Sequence, residues 1–316
     1  GGGRQPIQEE RLVLVSRANN AWDMEGDTDV VQTTAGDQRL IDLYLTPHGF
    51  VKGALAASDV TAATIMMAID DGTIQKTGGP AGRKVTYIAY SVGDYKIIGA
   101  VDDQNLVERT QTWLPDSLLG DLTWQWDYTG YEDRGDFMFP SRLHHHAGDI
   151  RNGPHHGINV NVASVDANVA VPLMAVPDAV RQAATAPVQV ESEEIANGVW
   201  RIAGGSHHSI AVELEDSYVM IEAPLNEERS IAVIQEAQRV IPNKRLTHLA
   251  VTHHHFDHSS GMRTYVIHGA ELVTHEASRD FYHELVLYPY PRLMQQDLLS
   301  TYYPRMAPDK LPVFHT

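Results

Sequence analysis

Thr252-His253-His254-His255-Phe256-Asp257-His258 packs four side chains with metal-binding chemistry into six residues. Read as His-x-His-x-Asp-His, the ligands are His253, His255, Asp257 and His258, with His254 and Phe256 as spacers. Imidazole and carboxylate suit zinc, and they also suit other transition metals. The preceding Leu246-Thr247-His248-Leu249-Ala250-Val251 reads as a buried strand, and Ser259-Ser260-Gly261-Met262-Arg263 opens a helix. The ligands then lie where a strand ends and a loop begins, the usual binding edge of an α/β sheet. The bland alternative is a solvated histidine-rich loop, the standing risk with any short motif.

Composition narrows the function classes. A chain of 316 residues has room for two domains. Its 43% hydrophobic and 21% charged content is that of an ordinary globular protein. No apolar run is long enough to cross a membrane. Lys and Arg number 24 against 41 Asp and Glu, a net charge of −17, which argues against a broad nucleic-acid footprint. Without cysteine there is neither a disulfide framework nor a thiolate zinc site. The chain opens Gly1-Gly2-Gly3 without Met and stops inside the apolar Val313-Phe314, so both ends read as cut from a longer protein.

Residues 7–168 read mostly as β. Leu12-Val13-Leu14-Val15 and the alternating Ile41-Asp42-Leu43-Tyr44-Leu45 are expected strands. Val85–Tyr90 and Tyr95–Val101, separated by Ser91-Val92-Gly93-Asp94, form a hairpin. Leu106–Trp113 can pair next, and Ile158–Val162 alternates as a half-buried strand. Gly49–Ala57 is the best helix candidate, and Gly78-Gly79-Pro80-Ala81-Gly82 is a loop. Trp124, Trp126 and Tyr128 fall at every second position, which puts their rings on one face of a strand. His144-His145-His146 and His155-His156 straddle an expected hairpin loop and are read as solvated rather than as a metal site. From Val165 the composition shifts to a Pro- and Ala-rich linker with a short helix. The remainder reads as strands at Val199–Ile202, Ile210–Leu214 and Tyr218–Ile221. A helix capped by Asn226 follows, with Glu227 and Glu228 in its positive first turn. Ile231, Ile234, Ala237 and Ile241 share one face of it, and Pro242 ends it. With the strand at Leu246 this is a β-α-β unit.

The ligand stretch resembles the signature of the metallo-β-lactamase superfamily of hydrolases. The resemblance runs over about Val188 to Glu284. It takes in Asn197-Gly198-Val199-Trp200, the segment from Glu222-Ala223-Pro224-Leu225 to Arg229, and Val273-Thr274-His275-Glu276. It is nearest to bacterial metallohydrolases of that superfamily that carry a β-rich front domain. Around Tyr128-Thr129-Gly130-Tyr131 and Phe139-Pro140-Ser141-Arg142 the front half is similar to lipoprotein-carrier half-barrels. The implied fold class is α+β. It comprises an antiparallel β half-barrel-like domain at 1–168, a linker at 169–194, and at 195–316 the first half of an αββα sandwich.

What the resemblance implies for chemistry is a metal-dependent hydrolase with two zinc ions. His253 and His255 hold the first ion and Asp257 and His258 the second, with Asp257 also catalytic. A metal-bound hydroxide would attack an ester, lactone, lactam or thioester of a small-molecule substrate. Di-iron members usually carry Glu where His255 stands, so the ligands favour zinc, with iron or manganese left open. Two departures stand out. Glu222 replaces a usual Asp; it either orients a ligand histidine or is a strand-end carboxylate satisfied by backbone N–H groups. The third histidine, the bridging Asp and the last histidine of the family have no counterpart among the 59 residues that follow Asp257, and His268, His275, His283 and His315 lack the right setting. Those ligands are expected beyond Thr316, which would make this segment alone a poor enzyme. His207 and His208 lie in a loop that in the family overhangs the metals and faces substrate, or they are simply a polar loop tip. The resemblance also implies a periplasmic or secreted location. The rival from another class is an envelope protein that binds a hydrophobic ligand, motivated by the Trp124, Trp126 and Tyr128 stripe.

Overall fold

The computed structural model describes residues 13–17, 20–25, 28–33, 35–70, 73–75, 82–149, 153–170, 174–283, 292–302 and 314–315. Leu12, both extreme ends and the Gly78–Ala81 loop lie outside them. The chain forms two compact units, one of Gly1–Trp113 with Thr123–Ala186 and one of Leu114–Leu122 with Pro187–Thr316.

The first unit holds a small antiparallel sheet of β1 (Val13–Arg17), β2 (Asn20–Glu25) and β3 (Thr28–Val31). Two helices follow, α1 (Gly36–Leu45) and α2 (Pro47–Ala56). Then come β4 (Thr61–Asp70), β5 (Thr73–Gln75), β6 (Gly82–Val92), β7 (Tyr95–Val101), β8 (Val107–Asp116), β9 (Gly120–Asp133), β10 (Met138–Asp149) and β11 (Gly153–Asn161). These build one eight-stranded sheet in the order β11-β10-β9-β8-β7-β6-β4-β5. The described pairings within it are antiparallel. The helix α3 (Asp178–Gln182) interrupts the Pro- and Ala-rich stretch.

Three readings of this half are corrected. Ile41–Leu45 is the last part of α1, not a strand. Ile41 and Leu45 are 1% and 0% exposed while Leu43 between them is 58% exposed, which is helical i, i+4 spacing and not alternation. Over five residues the two periods overlap, so the run could not separate them. The helix expected at Gly49 starts at Pro47, because Thr46 Oγ1 caps it by accepting the Gly49 N–H at 3.1 Å and Pro is well suited to the first turn. The His144–His146 run lies in β10, and His155 and His156 lie in β11, rather than in a hairpin loop.

The two helices pack on the sheet through Ile41, Leu45, Phe50, Tyr90 and Ile97, all at most 1% exposed. The Tyr90 hydroxyl donates to the Phe50 carbonyl at 3.1 Å. At Gly99 a Cβ would meet the Phe50 ring at 2.3 Å, so only glycine lets α2 come this close. The aromatic stripe of β9 serves the same contact. Trp124 Nε1 donates to Asp42 at 2.9 Å, and the Tyr128 hydroxyl donates to the Leu45 carbonyl.

The second unit is a seven-stranded mixed sheet: β12 (Glu191–Ala196), β13 (Val199–Ala203), β14 (Ser209–Glu213), β15 (Ser217–Ile221), β16 (Arg245–Ala250), β17 (Glu271–Val273) and β18 (Phe314–His315). The first four are antiparallel and the last four parallel. Between β15 and β16 runs α4 (Glu227–Val240), started by Asn226 Oδ1 accepting the Arg229 N–H at 2.9 Å. Short helices α5 (Phe256–Ser259), α6 (Met262–Ile267), α7 (Glu276–Phe281) and α8 (Leu298–Tyr302) follow β16. Ile202, Ala211, Met220, Leu249 and Leu272 come from five neighbouring strands and form one core with Val233, Ile234, Ala237 and Ile241. The buried stripe of α4 is thus rotated from the expected one: Val233 is in it, and Ile231 is half-buried on its flank. β16 is also only half-buried, since Thr247 and His248 keep contact with solvent. His275 is not in a strand; it caps α7, its Nδ1 accepting the Ala277 N–H at 3.1 Å.

Candidate metal centre

The ligand stretch begins two residues after the end of β16. His255 is the N-cap of α5, and its carbonyl accepts the N–H groups of His258 and Ser259, both at 3.0 Å. The Ser259 hydroxyl adds a bond to the same carbonyl at 2.9 Å. This tight turn carries Asp257 and His258 back toward His253. The His253 and His258 rings lie 4.1 Å apart, and His253 Nε2 is 3.2 Å from His255 Nδ1. Asp257 Oδ2 lies 3.6 Å from His258 Nε2 and 3.0 Å from His207 Nε2. His207, Asp257 and His258 present their donor atoms within 4.8 Å of one another.

Glu222 supports this turn from β15. Its Oε1 accepts the Thr252 N–H at 3.2 Å, and its Oε2 faces His258 Nδ1 at 3.2 Å. Both contacts weighed from the sequence are therefore made by the one carboxylate. A carboxylate at Nδ1 draws the imidazole proton there and leaves the Nε2 lone pair for Asp257's side of the cluster. Glu222 takes φ +69°, a left-handed conformation uncommon for residues other than glycine, and Leu225 takes φ +71°. The Ala223 N–H donates to the His258 carbonyl at 2.9 Å and Gly261 N–H donates to the Ala223 carbonyl at 2.9 Å, tying the end of β15 to the ligand loop. A Cβ at Gly261 would meet Ser230 Oγ at 1.8 Å, so a larger residue would have to displace the Ser230 hydroxyl where the loop crosses α4.

The loop between β13 and β14 supplies His207. Ser206 Oγ lies 2.7 Å from its Nδ1. The residue that places this loop is one the sequence reading passed over. Arg229 is buried in α4, and its Nη2 donates to the His207 carbonyl at 3.2 Å while Nη1 donates to the Gln189 carbonyl at 3.3 Å. The available signal was an arginine on the apolar stripe of the helix. His208 is exposed and, among the described residues, makes no contact with the cluster. His254 meets Phe281 edge-on at 5.2 Å, and Phe256 is exposed.

Asp257 is the titratable group here whose carboxyl departs from its ordinary range. Burial pushes it up, but its own backbone N–H and the imidazoles of His258, His207 and His255 outweigh that and hold it low. The donor atoms of His207 and His258 come within 4.8 Å of this carboxylate and of each other, and the paired His253 and His255 lie beside His258. This is a donor set that fits zinc, with no thiolate needed.

Over residues 202–313 the chain matches the metallo-beta-lactamase superfamily. The match includes the whole ligand loop and just over a third of the chain. Members of that superfamily are usually hydrolases, and zinc is the family's usual metal. Similar solved structures include a metallo-beta-lactamase from Hirschia baltica, 19% identical over 30% of this chain and 47% of that chain, with a TM-score of 0.28. Another is the metallo-beta-lactamase FIM-1 from Pseudomonas aeruginosa in its mono-zinc form, 16% identical over 30% of this chain and 46% of that chain, TM-score 0.28. A third is from Pontibacter korlensis, 20% identical over 30% of this chain and 48% of that chain, TM-score 0.28. The chain spans about half the length of these structures. No curated protein matches it. The likeness of the front unit to lipoprotein carriers stands as a resemblance of sequence alone.

Proposed function

We propose that this chain is the metal-binding part of a binuclear zinc hydrolase acting on an ester, lactone, lactam or thioester of a small molecule. His253 and His255 hold one ion, Asp257 and His258 the other, and His207 reaches in from the neighbouring loop. The observation that carries this is the convergence of His207, His253, His255, Asp257 and His258 at the end of β16, with Glu222 bonded behind His258. When bound, the metal lowers the pKa of a water from about 15.7 toward 7 and polarises the substrate oxygen it meets.

The protein's own groups would do the rest. Glu222 keeps the His258 proton on Nδ1. Asp257, ionised and facing two imidazole nitrogens, is placed to hold a ligand position and to take up a proton as water attacks. Arg229 keeps the His207 loop over the cluster through the His207 carbonyl. The binding-protein alternative loses its motive, because Trp124 and Tyr128 bond to α1 of their own unit. The expected envelope location continues to rest on the resemblance; among the described residues no helix is long and apolar enough to cross a membrane.

The test is metal counting on the native protein with and without His253→Ala and His255→Ala, alongside hydrolysis of a panel of chromogenic esters, lactones, thioesters and β-lactams. The expected result is a fall in zinc content together with loss of hydrolysis, with an unchanged circular dichroism spectrum. Zinc content and hydrolysis both equal to those of the unsubstituted protein would overturn the proposal.

A further inference from the structure

A second group of metal-ligating side chains lies on the same sheet and shares no residue with the ligand loop. His248 is on β16, Glu271 on β17 and His315 on β18, three adjacent parallel strands. His248 is paired with Glu271 across one strand boundary, and His315 is paired with Val273 across the next. Residues 271 and 273 point to the same face, so all three side chains project from that face. Their sequence neighbours Leu249, Leu272 and Phe314 point the other way into the core. The donor atoms fall within 4.8 Å of one another. Glu271 Oε2 lies 2.6 Å from His315 Nε2 and 3.6 Å from His248 Nε2, and the two rings are 5.5 Å apart.

We infer that His248, Glu271 and His315 bind one divalent transition ion of the zinc, nickel or copper class. The site stands apart from the hydrolytic centre proposed above and does not depend on it. Three arguments support it. The ligand types are right: two imidazoles and a carboxylate bring one negative charge to a dication, and no hard-oxygen cage favours calcium or magnesium. The spacing is right: tetrahedral ligands at about 2.0–2.1 Å from zinc stand roughly 3.3 Å from one another, between the two separations seen. The platform is rigid: strands about 4.8 Å apart fix the roots of the three side chains, so little ordering is left to do on binding. As the site stands, both Nε2 atoms aim at one carboxylate oxygen. A metal replaces the proton that His315 shares with Glu271 and uses all three lone pairs. All three side chains are at least a third exposed, which leaves the remaining ligand positions to water. Arg245 is the nearby cation that acts on Glu271 and works against the ion.

The experiment counts Zn²⁺ by equilibrium dialysis on protein stripped with chelator, in a His253→Ala/His255→Ala/Asp257→Ala background that disables the ligand loop. One ion per chain is expected to remain, and adding Glu271→Gln is expected to remove it. No ion in the loop-disabled protein, or an ion that survives Glu271→Gln, overturns the inference. A wild-type measurement guards against a variant that fails to fold: Cu²⁺ titrated beyond the two ions the ligand loop would take should broaden the ring resonances of His248 and His315, and unbroadened rings would also overturn it. Ions lost on disabling the loop report on the proposed hydrolytic centre, and the ion that remains reports on this one, so the two can fail separately.

Discussion

His144-His145-His146 and His253-His254-His255 are the same tripeptide in two settings, and they end up with different chemistry. In β10 the strand sends successive side chains to opposite faces. His145 is 1% exposed, wedged between Trp124 and Trp126 with ring centroids at 4.2 and 4.7 Å. His144 and His146 meet edge-on at 4.1 Å on the other face, and Asp127, whose Oδ2 lies 3.5 Å from His146 Nε2, is shared with Arg109 Nε at 2.7 Å. Past β16 the backbone is free of the ladder. His253 and His255 pair as any i, i+2 residues can, and the turn into α5 then adds Asp257 and His258. A strand supplies two histidines to one face and stops. A strand end followed by a helical turn brings four side chains of metal-binding chemistry close together.

The largest effect should come from the scaffold under the ligand loop. α6 continues directly from it, and Arg263 in α6 is buried against Asp297, which also faces Arg292. Burial pushes the Asp297 carboxyl up, but the hydrogen bonds and charge of Arg263, the Ser300 hydroxyl and Arg292 outweigh that and hold it well below its ordinary value. Asp297→Asn removes the carboxylate that both buried guanidinium groups face and should cost about 3–5 kcal/mol. Denaturant unfolding followed in the second unit would read this, and a loss under 1 kcal/mol (about fivefold in the folding equilibrium) would show the loop does not lean on the pair. The acid limb sharpens the test. A carboxyl whose folded pKa is depressed adds stability that is complete above its ordinary value of 3.8 and is lost as pH falls below it. Asp297→Asn should flatten that loss.

Next in size is a crossed pair of histidine substitutions. His145→Ala empties a space between two tryptophans and should destabilise the first unit by about 2–4 kcal/mol with no change in zinc content. His253→Ala should do the reverse, moving stability by no more than about 0.5 kcal/mol while zinc content falls. Thermal melts and metal counting on both variants check this; a zinc loss in His145→Ala would mean the strand histidines are ligands after all. The smallest effect expected is that of Glu222→Gln, which keeps the shape but weakens the bond behind His258. Partners of this kind are worth roughly 10–100-fold in metal affinity. A competition titration with a chromogenic chelator measures it, and an unchanged affinity would make Glu222 a backbone anchor alone.

Much of the second unit was legible because its signals were local. Asn226 with Glu227 and Glu228 announced α4, the apolar runs announced β13 to β16, and His-x-His-x-Asp-His followed one of them. What stayed hidden depends on contacts between distant segments. Nothing near His207 indicates that Arg229, two strands later, holds its carbonyl. Nothing in Glu271 indicates that register sets it between His248 and His315. In the first unit Ile41–Leu45 failed for a different reason: five residues carry too little periodicity to tell an i, i+4 face from alternation, and the packing of Ile41 and Leu45 on the sheet decided it.

The left-handed backbone of Glu222 sets function against durability. At φ +69° a residue with a side chain pays of order 1–3 kcal/mol that glycine would not. A search for sturdier variants would be drawn to Glu222→Gly for that reason. The carboxylate that steadies His258 and the Thr252 N–H would go with it. A lineage selected only for heat resistance would thus be pulled toward surrendering the centre, and one selected for turnover would keep carrying the strain.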